Sequence, residues 1–275
     1  MSDVQRPIGI VGGMGKTGRR VAQRLEHLAL AVRPLSRSTE HSFDWERPDE
    51  WAAALDGVGQ LYVTFQPDLS VPGADEMVAG LASLAVAQGV ERMILLSGRG
   101  EDGALRAEQA LANAGLPWAV VRSSWFAQNF TESFLADSVA GGTLVIPQGT
   151  AAEPFVDVDD IADVVVQLLT GRAPMNRVYE VTGPAALRFP EACAILGEAS
   201  GRAVECREVE VTEFVDHLRA GGLPEDIVRM MVDLFTVTLD GRNSLPANGI
   251  RDVLGRAPRS FGQFAADAAG ALLPG

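Results

Sequence analysis

The chain has 275 residues, 47% apolar and 21% charged, with 36 acidic against 23 basic side chains and a formal net charge of −13. That length suits one large domain or a domain with an appended lobe, and the composition excludes a disordered or fibrous chain. The acid excess argues against nucleic-acid binding, and no apolar run approaches the about 18 residues of a membrane-spanning helix. Residues 1–7 show no basic-then-apolar signal pattern, so the chain reads as soluble and cytoplasmic. Cys193 and Cys206 with His27, His41 and His217 lack metal-ligand spacing, so no metal site is expected.

Residues 7–12 are a short apolar run ending in glycine, the mark of a buried parallel strand. A helix is predicted over 18–27 from the spacing of Val21, Leu25 and Leu28, and a second strand over 28–35. A short helix at 51–55, a strand at 60–65, and a helix at 74–88 follow. A strand at 91–97, a helix at 104–114 stopped by Gly115, and a strand at 118–122 continue the alternation. This rhythm predicts a doubly wound α/β fold with a parallel sheet covered on both faces. Farther on, 178–182 reads as a strand, 189–200 as a helix and 203–211 as strand-like. Thr212 is a candidate cap for a helix to residue 220. A helix is expected from Pro224 to about Phe235, and a last one over 260–272.

Between the first strand and first helix lies Gly12-Gly13-Met14-Gly15-Lys16-Thr17-Gly18. Gly12 permits a tight turn, Gly15 a close backbone approach to a pyrophosphate, and Gly18 close helix–strand packing. This is a dinucleotide-loop pattern, while an ordinary glycine-rich turn is the bland alternative. An NTPase loop is excluded because Ile10 stands where its first glycine belongs. After the second strand no carboxylate awaits the ribose hydroxyls; Ser36-Arg37-Ser38 suits a 2′-phosphate, hence NADP. Arg37 as a merely solvated residue is the competing view. Asp44 suits either an adenine amino group or a helix cap. Residues 1–170 are therefore expected to form a dinucleotide-binding Rossmann core, with a substrate-binding lobe over 171–275 packed on the same domain.

Lys16 is the only lysine among the basic residues, so neither Tyr62 nor Tyr179 has a lysine four residues later. A Tyr-x-x-x-Lys mechanism therefore cannot operate, and no Ser–His–Asp or Cys–His arrangement replaces it. Asp157, Asp159 and Asp160 precede an apolar helix, where capping and the helix dipole explain them better than paired-carboxylate catalysis.

The glycine loop, the strand 91–97 ending in serine, and Arg122-Ser123-Ser124-Trp125-Phe126-Ala127-Gln128-Asn129-Phe130 carry a resemblance. So do Val156-Asp157-Val158-Asp159-Asp160-Ile161-Ala162 and the tail Gly255-Arg256-Ala257-Pro258-Arg259-Ser260-Phe261. Together these segments resemble the NmrA-like branch of atypical short-chain dehydrogenases, more narrowly its ergot-alkaloid (agroclavine dehydrogenase-like) reductases of secondary metabolism. The resemblance implies that Gly12, Met14, Gly15, Lys16 and Thr17 contact pyrophosphate and ribose and that Arg37 holds the 2′-phosphate. Thr64 and Phe65 would flank the nicotinamide ribose, with Ser97 and Ser123 at the cofactor and Trp125, Phe126, Asn129 and Phe130 facing substrate. Ser97 or Ser124 would act catalytically by polarising it. Where relatives often carry a histidine or lysine, this chain has Ala104. Phe126, Phe130 and Phe134 fall four apart, consistent with one helical face, Phe134 on its core side.

These features imply an NADPH-dependent reductase of a hydrophobic, electrophilic small molecule (iminium, quinone or enone), working as a monomer or homodimer without nucleic acid or membrane. A non-enzymatic NADP sensor and a redox-neutral cyclase or isomerase are the alternatives.

Overall fold

The computed structural model describes residues 6–133 and 135–272. β1 (Ile8–Val11) runs through the glycine loop into α1 (Lys16–His27) and β2 (Val32–Leu35). α2 (Trp51–Leu55), β3 (Gln60–Val63), α3 (Ala74–Ala87), β4 (Met93–Gly98), α4 (Asp102–Ala112) and β5 (Trp118–Ser123) keep the alternation. α5 (Asn129–Glu132), α6 (Ala136–Ala140), β6 (Thr143–Pro147), α7 (Val158–Leu169), β7 (Arg177–Val181), α8 (Phe189–Ser200) and β8 (Glu205–Val209) follow. The remaining helices are α9 (Val211–Ala220), α10 (Glu225–Asp233), α11 (Gly249–Leu254) and α12 (Phe261–Asp267).

The chain divides into two compact units. The first takes the chain up to Ser123 with Val158–Val181 and Asn248–Arg256; the second takes Ser124–Asp157, Thr182–Ala247 and the chain from Ala257. A single cut at residue 170 does not describe this division. β7 belongs to the first unit because it pairs in parallel with β5, Val121 opposite Tyr179. α11 joins it because Gly249 sits directly on β7: a Cβ there would lie 2.2 Å from the Glu180 carbonyl oxygen.

In the first unit a six-stranded, all-parallel sheet has the order β2-β1-β3-β4-β5-β7. β1 is buried at all four positions, as a strand covered on both faces must be, which is why its sequence is apolar without alternation. Outside β2 a lone parallel bridge, Ser36 to Ser42, stands where a further strand would pair. Leu25, Leu35, Leu61, Leu81 and Leu95 are fully buried, and Phe43, Trp45 and Trp51 form an aromatic knot, Phe43 stacked on Trp51 at 5.6 Å. α1 and α7 are tied by ion pairs from Arg24 to Asp159 and Asp163 at 2.6 Å each, and Arg256, just past α11, pairs with buried Asp160 of α7 at 2.7 Å.

The second unit pairs β6 with β8 in parallel, Thr143 opposite Glu205, around an aromatic core of Phe130, Phe155, Phe189, Phe214, Phe235 and Phe261.

Four sequence expectations change. The strand foreseen from residue 28 begins at Val32, because Leu28 caps α1 and Ala29 turns through a positive φ of 58°. Glu210, not Thr212, caps α9. β6 was not foreseen; its partner β8 lies far along the chain, so nothing local announced the pairing. The proposed aromatic helix face does not form: α5 spans only Asn129–Glu132, and Phe126 lies in an extended stretch bridged to Val156. Phe134 lies outside the described residues.

Candidate functional site

α1 leads from β1 to β2 on one flank, and the next strand, β3, pairs on the other flank of β1. Ligands of open α/β sheets bind outside the carboxyl ends of the strands at such a switch point. The glycine loop sits there, and its glycines are demanded by space. Gly12 has φ +77°, and a Cβ on it would stand 2.0 Å from Thr64 Oγ1. Thr64 is fixed in turn, its hydroxyl donating to the Val11 carbonyl at 3.1 Å. A Cβ on Gly18 would lie 2.2 Å from the Gly12 carbonyl oxygen, and one on Gly13 2.8 Å from Pro34 Cβ.

Gly15 is the N-cap of α1, its N–H donating to Gly12 O at 2.8 Å. No side chain caps the helix and no acidic residue occupies its first turn. The first N–H groups of a helix have no intrahelical acceptor, and with the helix dipole they favour an anion. Lys16 opens the helix half-buried, and Met14 stands exposed beside it. Thr17 is buried, and its Oγ1 accepts the Tyr62 hydroxyl at 3.0 Å. Burial raises Tyr62 far above the usual phenol value, so it remains a neutral donor to Thr17.

Past β2, Ser36 N donates to Thr39 Oγ1 at 2.9 Å and that hydroxyl returns to Ser36 O at 3.0 Å, closing a tight turn. Arg37 projects from this turn, exposed, with no hydrogen bond or ion pair to any described residue. Asp44 is occupied locally, its Oδ1 accepting from Glu46 N at 3.1 Å in a turn, and Arg47, not Asp44, is the N-cap of the short 3-10 helix that follows. Phe65, just beyond β3, is half-buried against Trp45 at 4.5 Å.

At the ends of β4 and β5 lies an ionic network that sequence reasoning missed. Ser97 donates its hydroxyl to Glu108 Oε1 at 2.6 Å. Glu108 also receives Arg122 through Nε at 2.9 Å and through Nη2. Arg122 Nη1 reaches Glu180 Oε1 at 3.0 Å, and Arg99 Nη2 lies 3.2 Å from Glu180 Oε2. The hydrogen bond from Glu108, opposed by burial, raises Arg122 above the ordinary guanidinium value. The signal was available: an arginine inside a strand of a covered sheet needs a buried carboxylate, and Glu108 is one helix turn past Ala104. Ser123 Oγ donates to Ser97 O at 3.3 Å.

In the second unit Ser124 Oγ donates to Pro154 O at 2.6 Å. The proton of each serine expected to polarise substrate, Ser97 and Ser124, is thus already given to the protein, and neither has a second to offer. Trp125 is half-buried, edge-on to Phe189 at 5.8 Å and Phe235 at 5.1 Å; Phe126 and Asn129 are also half-buried. Phe130, expected to face substrate, is fully buried in the aromatic core, 5.2 Å from Phe155 and 5.3 Å from Phe261. Gln128 donates to Asp157 Oδ1 at 2.6 Å, and Arg259 pairs with Asp157 at 2.9 Å. The carboxylates of the Asp157–Asp160 stretch thus hold arginines and Gln128 rather than reacting atoms.

Among the described residues no group of three or more His, Cys, Asp or Glu is arranged to hold a metal ion, and no helix is long and apolar enough to cross a membrane. No family model matches the chain. Similarity to individual proteins is extensive. The uncharacterized oxidoreductase YesF of Bacillus subtilis is 32% identical over 273 residues, covering 95% of both chains. Agroclavine dehydrogenase of Claviceps fusiformis is 26% identical, covering 94% of this chain and 96% of its own. Among solved structures, the Citrobacter sp. triphenylmethane reductase complexed with NADP(H) superimposes with a TM-score of 0.80 at 20% identity, covering 96% of this chain and 99% of that one. With its loop, its parallel sheet and full-length similarity to these oxidoreductases, the chain belongs to the NmrA-like, atypical short-chain dehydrogenase/reductase family.

Proposed function

We propose that this protein is an NADPH-dependent reductase of a hydrophobic, electrophilic small molecule: an iminium ion, a quinone or a conjugated enone. The observation that carries it is the uncapped start of α1 on a glycine-rich loop at the switch point, with Arg37 past β2 exposed and unpaired among the described residues. In this assignment the backbone of Gly12, Gly15, Lys16 and Thr17 holds the pyrophosphate, with Met14 over it. Arg37 holds the 2′-phosphate, and Thr64 and Phe65 flank the nicotinamide ribose. Ser97 and Ser123 shape the strand ends beside the cofactor, and Trp125, Phe126 and Asn129 contact substrate. NADPH, when bound, supplies a hydride; the chain binds, orients and shields it from water. The NADP(H) complex of the triphenylmethane reductase and the similarity to agroclavine dehydrogenase support this choice of cofactor and of a small organic substrate.

The test is fluorescence titration with NADPH and NADH, repeated with Arg37→Ala. NADPH affinity should fall at least about tenfold, equivalent to about 1.4 kcal/mol, with NADH little changed. NADPH consumption is then assayed against quinones, enones and iminium ions. Failure to bind either nucleotide sinks the proposal, while tight binding without turnover of any class favours the sensor.

A further inference from the structure

β4 ends at Gly98, and Gly100 turns the chain through φ +80° to Glu101, the N-cap of α4. The Glu101 side chain folds back onto the strand end. A Cβ at Gly98 would lie 2.6 and 2.7 Å from its two carboxyl oxygens, so only glycine leaves room for it. α4 is pressed against the loop after β3: a Cβ at Gly103 would lie 2.5 Å from Ser70 Cα and 2.8 Å from Leu69 O. That contact brings in Asp68, whose Oδ1 accepts the Ser70 N–H at 2.7 Å. That packing brings the Asp68 carboxyl to face that of Glu101 and favours the protonated form of Glu101.

Two carboxyl groups facing each other away from water favour one of them holding a proton, because two negative charges there repel. Nothing cationic among the described residues relieves the pair. Arg99 on the same turn is drawn to Glu180. Arg122 on β5 is held by Glu108 and Glu180. Arg106 on α4 faces Asp75 of α3 at 3.7 Å. The nearest other charge along the chain, Asp102, is also acidic. Burial first, then the charge and hydrogen bond of Asp68, push the Glu101 carboxyl up to about 8, so it holds its proton at neutral pH.

We propose that Glu101 is the proton donor for the reduction of uncharged acceptors, with Asp68 as its positioning partner. The proposal rests on the reductase reading, and it places an acid against Gly98 at the end of β4, with Asp68 on the loop that follows Thr64 and Phe65. An enone gains a hydride, and with it two electrons, at its electrophilic carbon, while NADPH is oxidised to NADP+. The C=C pair shifts to form a double bond to the carbonyl carbon, the C=O π pair moves onto oxygen, and that oxygen takes the Glu101 proton to give an enol; the Glu101 O–H bond breaks, and water returns a proton to the carboxylate. A quinone needs the same proton. An iminium ion is neutralised by hydride alone and needs none.

The experiment compares the wild type, Glu101→Gln and Asp68→Asn. In the protein without nucleotide, infrared spectroscopy should show a protonated carboxyl band that disappears near pH 8 and is absent from Glu101→Gln. With NADPH, the rate with an enone divided by that with an iminium ion should fall at least tenfold in Glu101→Gln. In Asp68→Asn, the high-pH limb of enone turnover should move to lower pH, because the neighbouring negative charge is gone. That last variant keeps the test alive if Glu101→Gln does not fold. If the wild type oxidises NADPH but the band, the fall in the ratio or the shift of the limb is missing, Glu101 is not the donor and the reductase reading stands. If the wild type neither binds nor oxidises NADPH, both fall together.

Discussion

Replacing Gly12 with alanine tests why the loop has its sequence. The new methyl group would meet Thr64 Oγ1 at 2.0 Å, while Thr64 Cβ stands at 3.3 Å, already near contact distance. Two costs add: a positive φ for a non-glycine residue, about 1–2 kcal/mol, and overpacking against Thr64, about 1–3 kcal/mol. Gly12→Ala is therefore expected to lose about 2–5 kcal/mol of unfolding free energy in urea titrations. Thr64→Ala alone loses the hydroxyl bond to Val11 O, about 0.5–1.5 kcal/mol. In the double variant the obstructing hydroxyl is gone, and the φ strain, the lost bond and a tight 3.3 Å approach to the remaining Cβ are left. The two substitutions should couple favourably by about 1–3 kcal/mol. Gly18→Ala offers no such relief, because its obstacle at 2.2 Å is the Gly12 backbone carbonyl. Strict additivity of Gly12→Ala and Thr64→Ala would refute the steric account of the loop.

Two further predictions concern the core and the acid pair. Phe130→Ala should cost about 3–5 kcal/mol of stability, measured by urea denaturation; unchanged stability with a raised KM would restore Phe130 to the substrate. Glu101 binds its proton more tightly folded than unfolded, so its contribution to stability is complete below the ordinary carboxylate value and is lost as pH rises to about 8. Across that window the wild type should lose up to about 1.4 kcal/mol per pH unit relative to Glu101→Gln, and parallel stability curves for the two would contradict the assignment.

Much of the first unit was legible because its signals are local. A covered parallel strand must be apolar throughout, a helix repeats its apolar positions, and a loop under a pyrophosphate has no room for side chains; β1, α1, β3 and the glycine loop follow from those demands. Boundaries slipped where a backbone choice was made outside the pattern, as at Ala29, whose positive φ ends α1 and delays β2. The aromatic spacing of Phe126 and Phe130 imitated a helix, but Phe126 is claimed by a bridge to Val156 and Phe130 by the core.

The division of labour among polar side chains was decided in three dimensions. The signature stretches coexist because they bind one another: Gln128 and Arg259 converge on Asp157, and Arg256 on Asp160. Ser97 reads in sequence as a hydroxyl at a strand end, yet Glu108, eleven residues on, takes its proton. Glu101 and Asp68 look like two ordinary surface acids until Gly98 and Gly103 let α4 close against the neighbouring loop. The sequence by itself determined the α/β alternation, the loop and the absence of a tyrosine–lysine pair, since these depend on residue identity and near spacing. Only the tertiary structure decided which hydroxyls are spent, which carboxylates are paired and which one keeps a proton, because those depend on distance and burial among residues far apart in the chain.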